Sequence, residues 1–296
     1  MTHNIKDYLN ALREALSDYD QATVQDALSD AEEHLRTALE SHLETNPETN
    51  KSAALESIIQ EYGTPEEVAG AYIGIEDMII PTLARVQKQD NRSFFIRFFG
   101  VLGDPKAWGA IIYMFLAFIT GILYFTWAVT GISLSIGFMV MIIGLPFVGL
   151  FLLSLKGIAL VEGRIVEALL GVRMPRRPTF SRKDLSLWER LKALLKDTHT
   201  WKTLLYMIIQ FPLGTIYFCL FVTLISLGLS GFAAPIVQTI LGIPIIQFGT
   251  HNYYIPTTMM PLWAFGGVII LTANMHLAKL IGRVHGAIAR GLLISE

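Results

Sequence analysis

Hydrophobic and polar positions along this chain follow two different patterns. Over residues 5–80 apolar side chains recur at three- and four-residue intervals among charged ones. Ile5, Tyr8, Leu9, Leu12 and Leu16 form one set, and Val24, Leu28, Ala31, Leu35 and Leu39 a second. That spacing puts each set on one face of a helix. Ser52 is positioned to cap a third helix through Leu55, Ile58 and Ile59, with Gly63 as its stop. Thr64-Pro65-Glu66-Glu67 then gives an N-cap, a proline at the first helical position and a capping-box acid. The helix it opens runs through Val68, Ala69, Tyr72 and Ile73. Some 80 residues with narrow apolar faces bury only a modest core, so this head is expected to dock on something else.

Beyond residue 106 the alternation gives way to long apolar runs. No Asp, Glu, Lys or Arg occurs between Lys106 and Lys156, or between Lys202 and Lys279. A helix needs about 20 apolar residues to cross about 30 Å of hydrocarbon. The runs therefore predict four spans, at about 108–130, 134–155, 203–229 and 260–280, with a tight turn around Gly131. The expected fold class is all-α, with a head over 1–80, a connector and anchor over 81–106, and a membrane part over 107–292. Pro235 and Pro244 break the uncharged segment 230–259, which is expected to be re-entrant or interfacial.

Composition and charge sharpen this picture. The 296 residues are 52% hydrophobic and 16% charged, against about a quarter charged in soluble domains. Residues 1–90 carry a net charge of −12 and the remainder +10. Cations cluster before the first span (Arg85, Lys88, Arg92, Arg97, Lys106), in the loop 156–202, and after the fourth (Lys279, Arg283, Arg290). By the bias of basic loops toward the cytoplasm, both termini and the loop are expected inside. The first thirty residues lack the basic and apolar regions of a cleaved signal peptide. A single cysteine, Cys219, leaves no internal disulfide and no Cys-rich metal site.

The apolar part also matches itself. An offset of 93 residues superposes Asp104 on Asp197, Trp108 on Trp201, Tyr113-Met114 on Tyr206-Met207 and Phe118 on Phe211. It further superposes Gly121 on Gly214 and Tyr124-Phe125 on Tyr217-Phe218. Ile143-Gly144-Leu145-Pro146 aligns with Leu241-Gly242-Ile243-Pro244, and Gly163-Arg164-Ile165 with Gly282-Arg283-Val284. The expected architecture is two parallel hairpin repeats about an axis along the membrane normal, with an insertion in the second near Gly249–Pro261.

Neither GxSxG, HExxH, a Walker loop nor a CxxC pair is present, so no catalytic residue, metal or cofactor is expected. His34 with Glu33 or His42 lies on an acidic, solvated face. His276, with Asn274, is expected to make an interhelical hydrogen bond near the inner end of the last span. Pro146, Pro212 and Pro244 interrupt apolar helices and free carbonyls. Gln210, Pro212, Gln238, Pro244, Gln247, His251, Asn252, Tyr253 and Tyr254 form a polar, aromatic set with two readings, an interfacial belt or an outward pocket for a small amphiphile. Phe94, Phe95, Phe98 and Phe99 make an interfacial anchor. Arg173, Arg176, Arg177, Arg182 and Lys183, with Trp188 on a helix starting near Ser186, are expected to contact anionic lipid and to compete for the acidic head.

Two family resemblances add to this. Tyr8-Leu9, Leu12, Asp30-Ala31-Glu32-Glu33-His34-Leu35 and Glu61-Tyr62-Gly63-Thr64-Pro65-Glu66-Glu67-Val68-Ala69 resemble HAAS modules. Those are helical signalling domains found beside PadR-type winged-helix transcription regulators. Gly163-Arg164, Leu169-Leu170-Gly171, Asp197-Thr198-His199-Thr200-Trp201-Lys202 and Pro212-Leu213-Gly214 resemble the sensor membrane domain that elsewhere precedes bacterial histidine kinases. The chain ends at Glu296 without a kinase part, so kinase activity is not expected. The resemblance implies a non-enzymatic sensor in the bacterial inner membrane, relaying a stimulus to a cytosolic regulator through residues 1–80. Direct nucleic-acid binding is not expected, and a second copy is a candidate partner. The competing reading is a small transporter or lipid-handling protein.

Overall fold

A computed structural model describes residues 4–46, 50–78, 94–138, 144–175 and 187–294. Two compact units make up the chain: Met1–Val86 with Val129–Tyr206 and Ile288–Glu296, and Gln87–Ala128 with Met207–Ala287.

The head, in the first unit, has four helices: α1 (Ile5–Ala15), α2 (Gln21–Thr45), α3 (Lys51–Tyr62) and α4 (Pro65–Met78). Tyr8, Leu12, Leu16, Leu35 and Leu39 close a core with Leu55, Ile58, Val68 and Ala69. The Tyr8 hydroxyl donates to the Gly63 carbonyl at 2.9 Å. The capping box forms as its residues dictate: Glu67 N–H donates to Thr64 Oγ1 at 3.3 Å, and Thr64 N–H to Glu67 Oε2 at 2.9 Å. Asn50, rather than Ser52, caps α3, accepting from the Ser52 N–H at 3.0 Å. It sits where the backbone is still extended, which capping geometry requires.

The first unit continues with the end of α6 (Pro105–Phe138), α7 (Gly144–Leu170), α8 (Leu187–Lys196), the start of α9 (Thr198–Leu241) and the last residues of α10 (Met260–Leu293). Helix α6 runs straight through Gly131, correcting the expected turn there. That glycine serves packing instead, since a Cβ would sit 1.9 Å from the Phe151 ring.

The second unit holds α5 (Phe94–Gly100) and most of α6, α9 and α10. Helices α6 and α9 approach at backbone contact. A Cβ on Gly121 would lie 2.8 Å from the Gln210 carbonyl oxygen, and one on Gly214 2.3 Å from that of Ala117. Residues 117 and 210 differ by the same 93 as the two glycines, so the contacts are reciprocal. The rings follow suit: Phe118 stacks on Phe218 at 4.6 Å, and Phe125 meets Phe211 at 5.1 Å.

Neither Pro212 nor Pro235 ends α9, which corrects the expected interruption at Pro212 and break at Pro235. The helix instead reaches Leu241 and stops at Gly242, whose φ of +65° suits glycine. A two-stranded hairpin follows, β1 (Ile246–Phe248) antiparallel to β2 (His251–Tyr253). It is the exception to an otherwise helical fold among the described residues. The four long helices α6, α7, α9 and α10 are long and apolar enough to cross a membrane.

Candidate functional site

The charged joint of the first unit is built from the ends of α7 and α10 and the start of α2. Helix α7 continues well past Lys156, carrying Glu162, Arg164 and Glu167. Three residues after its last turn, Arg173 Nη2 lies 3.1 Å from Asp26 Oδ2 of α2. The two side chains are 11% and 8% exposed. Arg173 Nη1 is also 3.7 Å from Glu167 Oε1 and donates to the Met174 carbonyl, while Arg164 holds the other Glu167 oxygen at 2.9 Å. Nearby, Asp20 caps α2 through the Ala22 N–H at 3.2 Å and meets Arg290 of α10 at 3.4 Å. Thr23, Gln25, Asp26 and Ser29 are buried, so the first turns of α2 are covered on the side away from the head's core as well.

Gln25, Lys156, Met174, His199 and Leu293 line a small cleft at this joint. His199 Nε2 faces the Leu293 carbonyl at 2.9 Å, and a carbonyl only accepts, so that nitrogen carries the proton. Among the described residues the buried Nδ1 has no hydrogen-bond partner. Lys156 pairs with Asp197 at 3.2 Å, and Asp197 caps α9 through the His199 N–H at 3.1 Å.

Each unit also buries an ionisable group under a tyrosine, and the two tyrosines are 93 residues apart. Tyr206 donates to Glu162 at 2.8 Å, with Glu162 fully buried. In the second unit Tyr113 meets His285 Nε2 at 2.6 Å, Tyr217 meets its Nδ1 at 3.4 Å, and Gln210 reaches Tyr113 and Thr120. Lys279 pairs with Asp104. Burial works to raise the Asp104 carboxyl. The Lys279 hydrogen bond, the Lys106 N–H and both lysine charges outweigh it, holding its pKa below the usual value.

The sequence-derived candidates are divided among these places. Gln210 belongs to the His285 network, with Pro212 beside it on α9. Gln238 lies 28 residues further along, about 42 Å at 1.5 Å per residue, so the glutamines share no pocket. Gln238 clamps backbone, its amide pairing with both the N–H and the carbonyl of Ile255 at 2.8 Å. Pro244 precedes the hairpin, and Gln247, His251, Asn252, Tyr253 and Tyr254 lie exposed on or beside it. Trp188 is 61% exposed on α8. Arg176, Arg177, Arg182 and Lys183 lie outside the described residues, as do residues 81–93 of the connector. His276 Nε2 lies 3.0 Å from the Phe98 carbonyl, its ring stacked on Phe98. Among the described residues no cluster of His, Cys, Asp or Glu suits a metal ion.

Sequence reasoning missed Asp26, Glu162, Glu167 and His285. Asp26 reads as one more solvated acid on α2, though it stands a turn before the core position Asp30-Ala31. Tyr113 and Tyr206, which match at the 93-residue offset, were the available signal for buried polar partners.

Residues 7–71 match the HAAS family, and residues 113–293 match the family described as "Putative sensor". No curated protein and no solved structure matches the chain. Four candidate spans and these two matches describe a membrane protein with a sensing or signalling role. The sensor match covers well over half of the 296 residues, and the protein belongs to that sensor family.

Proposed function

We propose that the protein relays a change in its membrane helices to a cytosolic partner by holding or releasing the head. The observation that carries this is the buried Arg173–Asp26 pair between the end of α7 and α2. Burying two charges costs desolvation that only good geometry repays. A shift of α7 that spoils this geometry therefore turns the contact from a net gain into a net cost of desolvation. The partner is a regulator, of PadR type on the family resemblance. The protein acts without catalysis, in the bacterial inner membrane, with both termini cytoplasmic; the basic ends of the helices support that orientation. The reciprocal contacts at Gly121 and Gly214 support a duplicated hairpin. Trp188, exposed beside Lys192 on α8, suits contact with the lipid surface.

The test uses the full-length protein in vesicles and a purified PadR-type regulator. Deleting residues 1–80 should abolish regulator binding, and Arg173→Ala should change it at least fivefold. Undiminished binding after the deletion, or solute flux through the intact protein, would replace this reading with the transporter one.

A further inference from the structure

Residues 230–259 contain no Asp, Glu, Lys or Arg, yet they form a defined structure. The last turns of α9 lead through Gly242 into the hairpin, where Ile246 pairs with Tyr253 and Phe248 with His251. The Gln238 amide fastens the chain two residues beyond β2 to α9, at Ile255. What this end presents outward is rich in apolar and aromatic side chains beside the polar Gln247, His251 and Asn252: Ile240 is 73% exposed and Phe248 79%, with Tyr253, Tyr254 and Trp263 also exposed. The patch continues onto α9 and α10, two of the helices apolar enough to cross a membrane.

Two physical limits fix where such an element can rest. A two-stranded hairpin has open edges, and each unpaired N–H or C=O costs several kcal/mol in hydrocarbon. That excludes the bilayer core. In bulk water the same open edges beside exposed rings would template self-association. The headgroup layer meets both demands, supplying water and ester oxygens to the edges and the preferred setting for Tyr and Trp rings.

The geometry points to an interfacial lipid-docking element: the β1–β2 hairpin sits among headgroups on the face where α9 ends, and its occupant is the lipid surface. The element is uncharged, so zwitterionic lipid serves it as well as anionic lipid. The inference rests on the membrane assignment alone and is independent of how the head signals.

A spin label at Thr250→Cys, in the full chain with Cys219→Ser, reads its depth in phosphatidylcholine vesicles by collision with oxygen and a water-soluble nickel chelate. The label should report the headgroup layer, roughly 5–10 Å from the water boundary, and change less than twofold when phosphatidylglycerol is added. Nickel accessibility equal to that of a label in water overturns the assignment, and so does a depth equal to that of a mid-span label. Spin–spin broadening would show hairpins pairing between copies, also overturning it. Phe248→Ser with Tyr254→Ser should raise nickel accessibility severalfold; an unchanged value would exclude the rings as the anchor.

Discussion

At the scale of single residues, charge and burial make the sharpest demands. Arg173→Ala takes the guanidinium away from the buried Asp26 carboxylate, which should cost up to about 3–5 kcal/mol of docking or stability. Restoring neutrality with Asp26→Asn should recover much of it, a double-mutant comparison that denaturant unfolding can make. Tyr8→Phe removes one hydrogen bond from the head and should cost about 1 kcal/mol. Burial, followed by the neighbouring Tyr62, Glu66 and Glu67, pushes the Tyr8 phenol upward, so its contribution is complete below the usual tyrosine pKa and fades as pH rises beyond it. Asp104 has the opposite sign. Its carboxyl lies below its usual 3.8, so the Lys279 clamp contributes fully above that value and is lost as pH falls through the lower folded one. Tryptophan fluorescence of Trp108 during acid titration should show this, and Asp104→Asn should abolish the transition.

Among the elements, small residues decide how closely helices pass. A Cβ on Gly214 meets backbone at 2.3 Å and one on Gly121 at 2.8 Å, whereas Gly137 has nothing within 4 Å. Gly214→Ala should therefore destabilise most, in the range of about 1–3 kcal/mol for overpacking. Gly121→Ala should cost less and Gly137→Ala least, an order that melting temperatures in detergent can rank. These elements also show how far the sequence was legible. The spans announced themselves through missing charge, and the head through three- and four-residue spacing and its Thr64–Glu67 box. The ends were less readable because glycine and proline carry two meanings. Gly131 marks a ring contact instead of a turn, and Pro235 is absorbed within α9 instead of ending it. The joint was half visible: Arg173 drew notice as a cation, but nothing local to Asp26 distinguishes it from the solvated acids around it. Its role depends on a partner 147 residues away.

For the whole molecule, two ion pairs of unequal character join the head to the helix ends among the described residues. Asp20–Arg290 is exposed to 31% and 45%, while Asp26–Arg173 is largely buried. At 1 M salt the screening length falls to about 3 Å, which weakens the exposed pair and spares the buried one. Salt alone should leave the head docked, and salt combined with Arg173→Ala should release it. Limited proteolysis of the connector in reconstituted protein would read the difference. Release by salt alone would mean that the exposed pair, and not the buried one, holds the head.

The Gln238 clamp has a consequence of its own. One amide satisfies both a donor and an acceptor of the same backbone residue, and no other common side chain of that length offers both. Glutamate in its place would face the Ile255 carbonyl with a second oxygen, and leucine would offer neither group. A lineage that lost this glutamine would keep its membrane segments and its acidic domain, yet its strand pair would trail on an untethered chain.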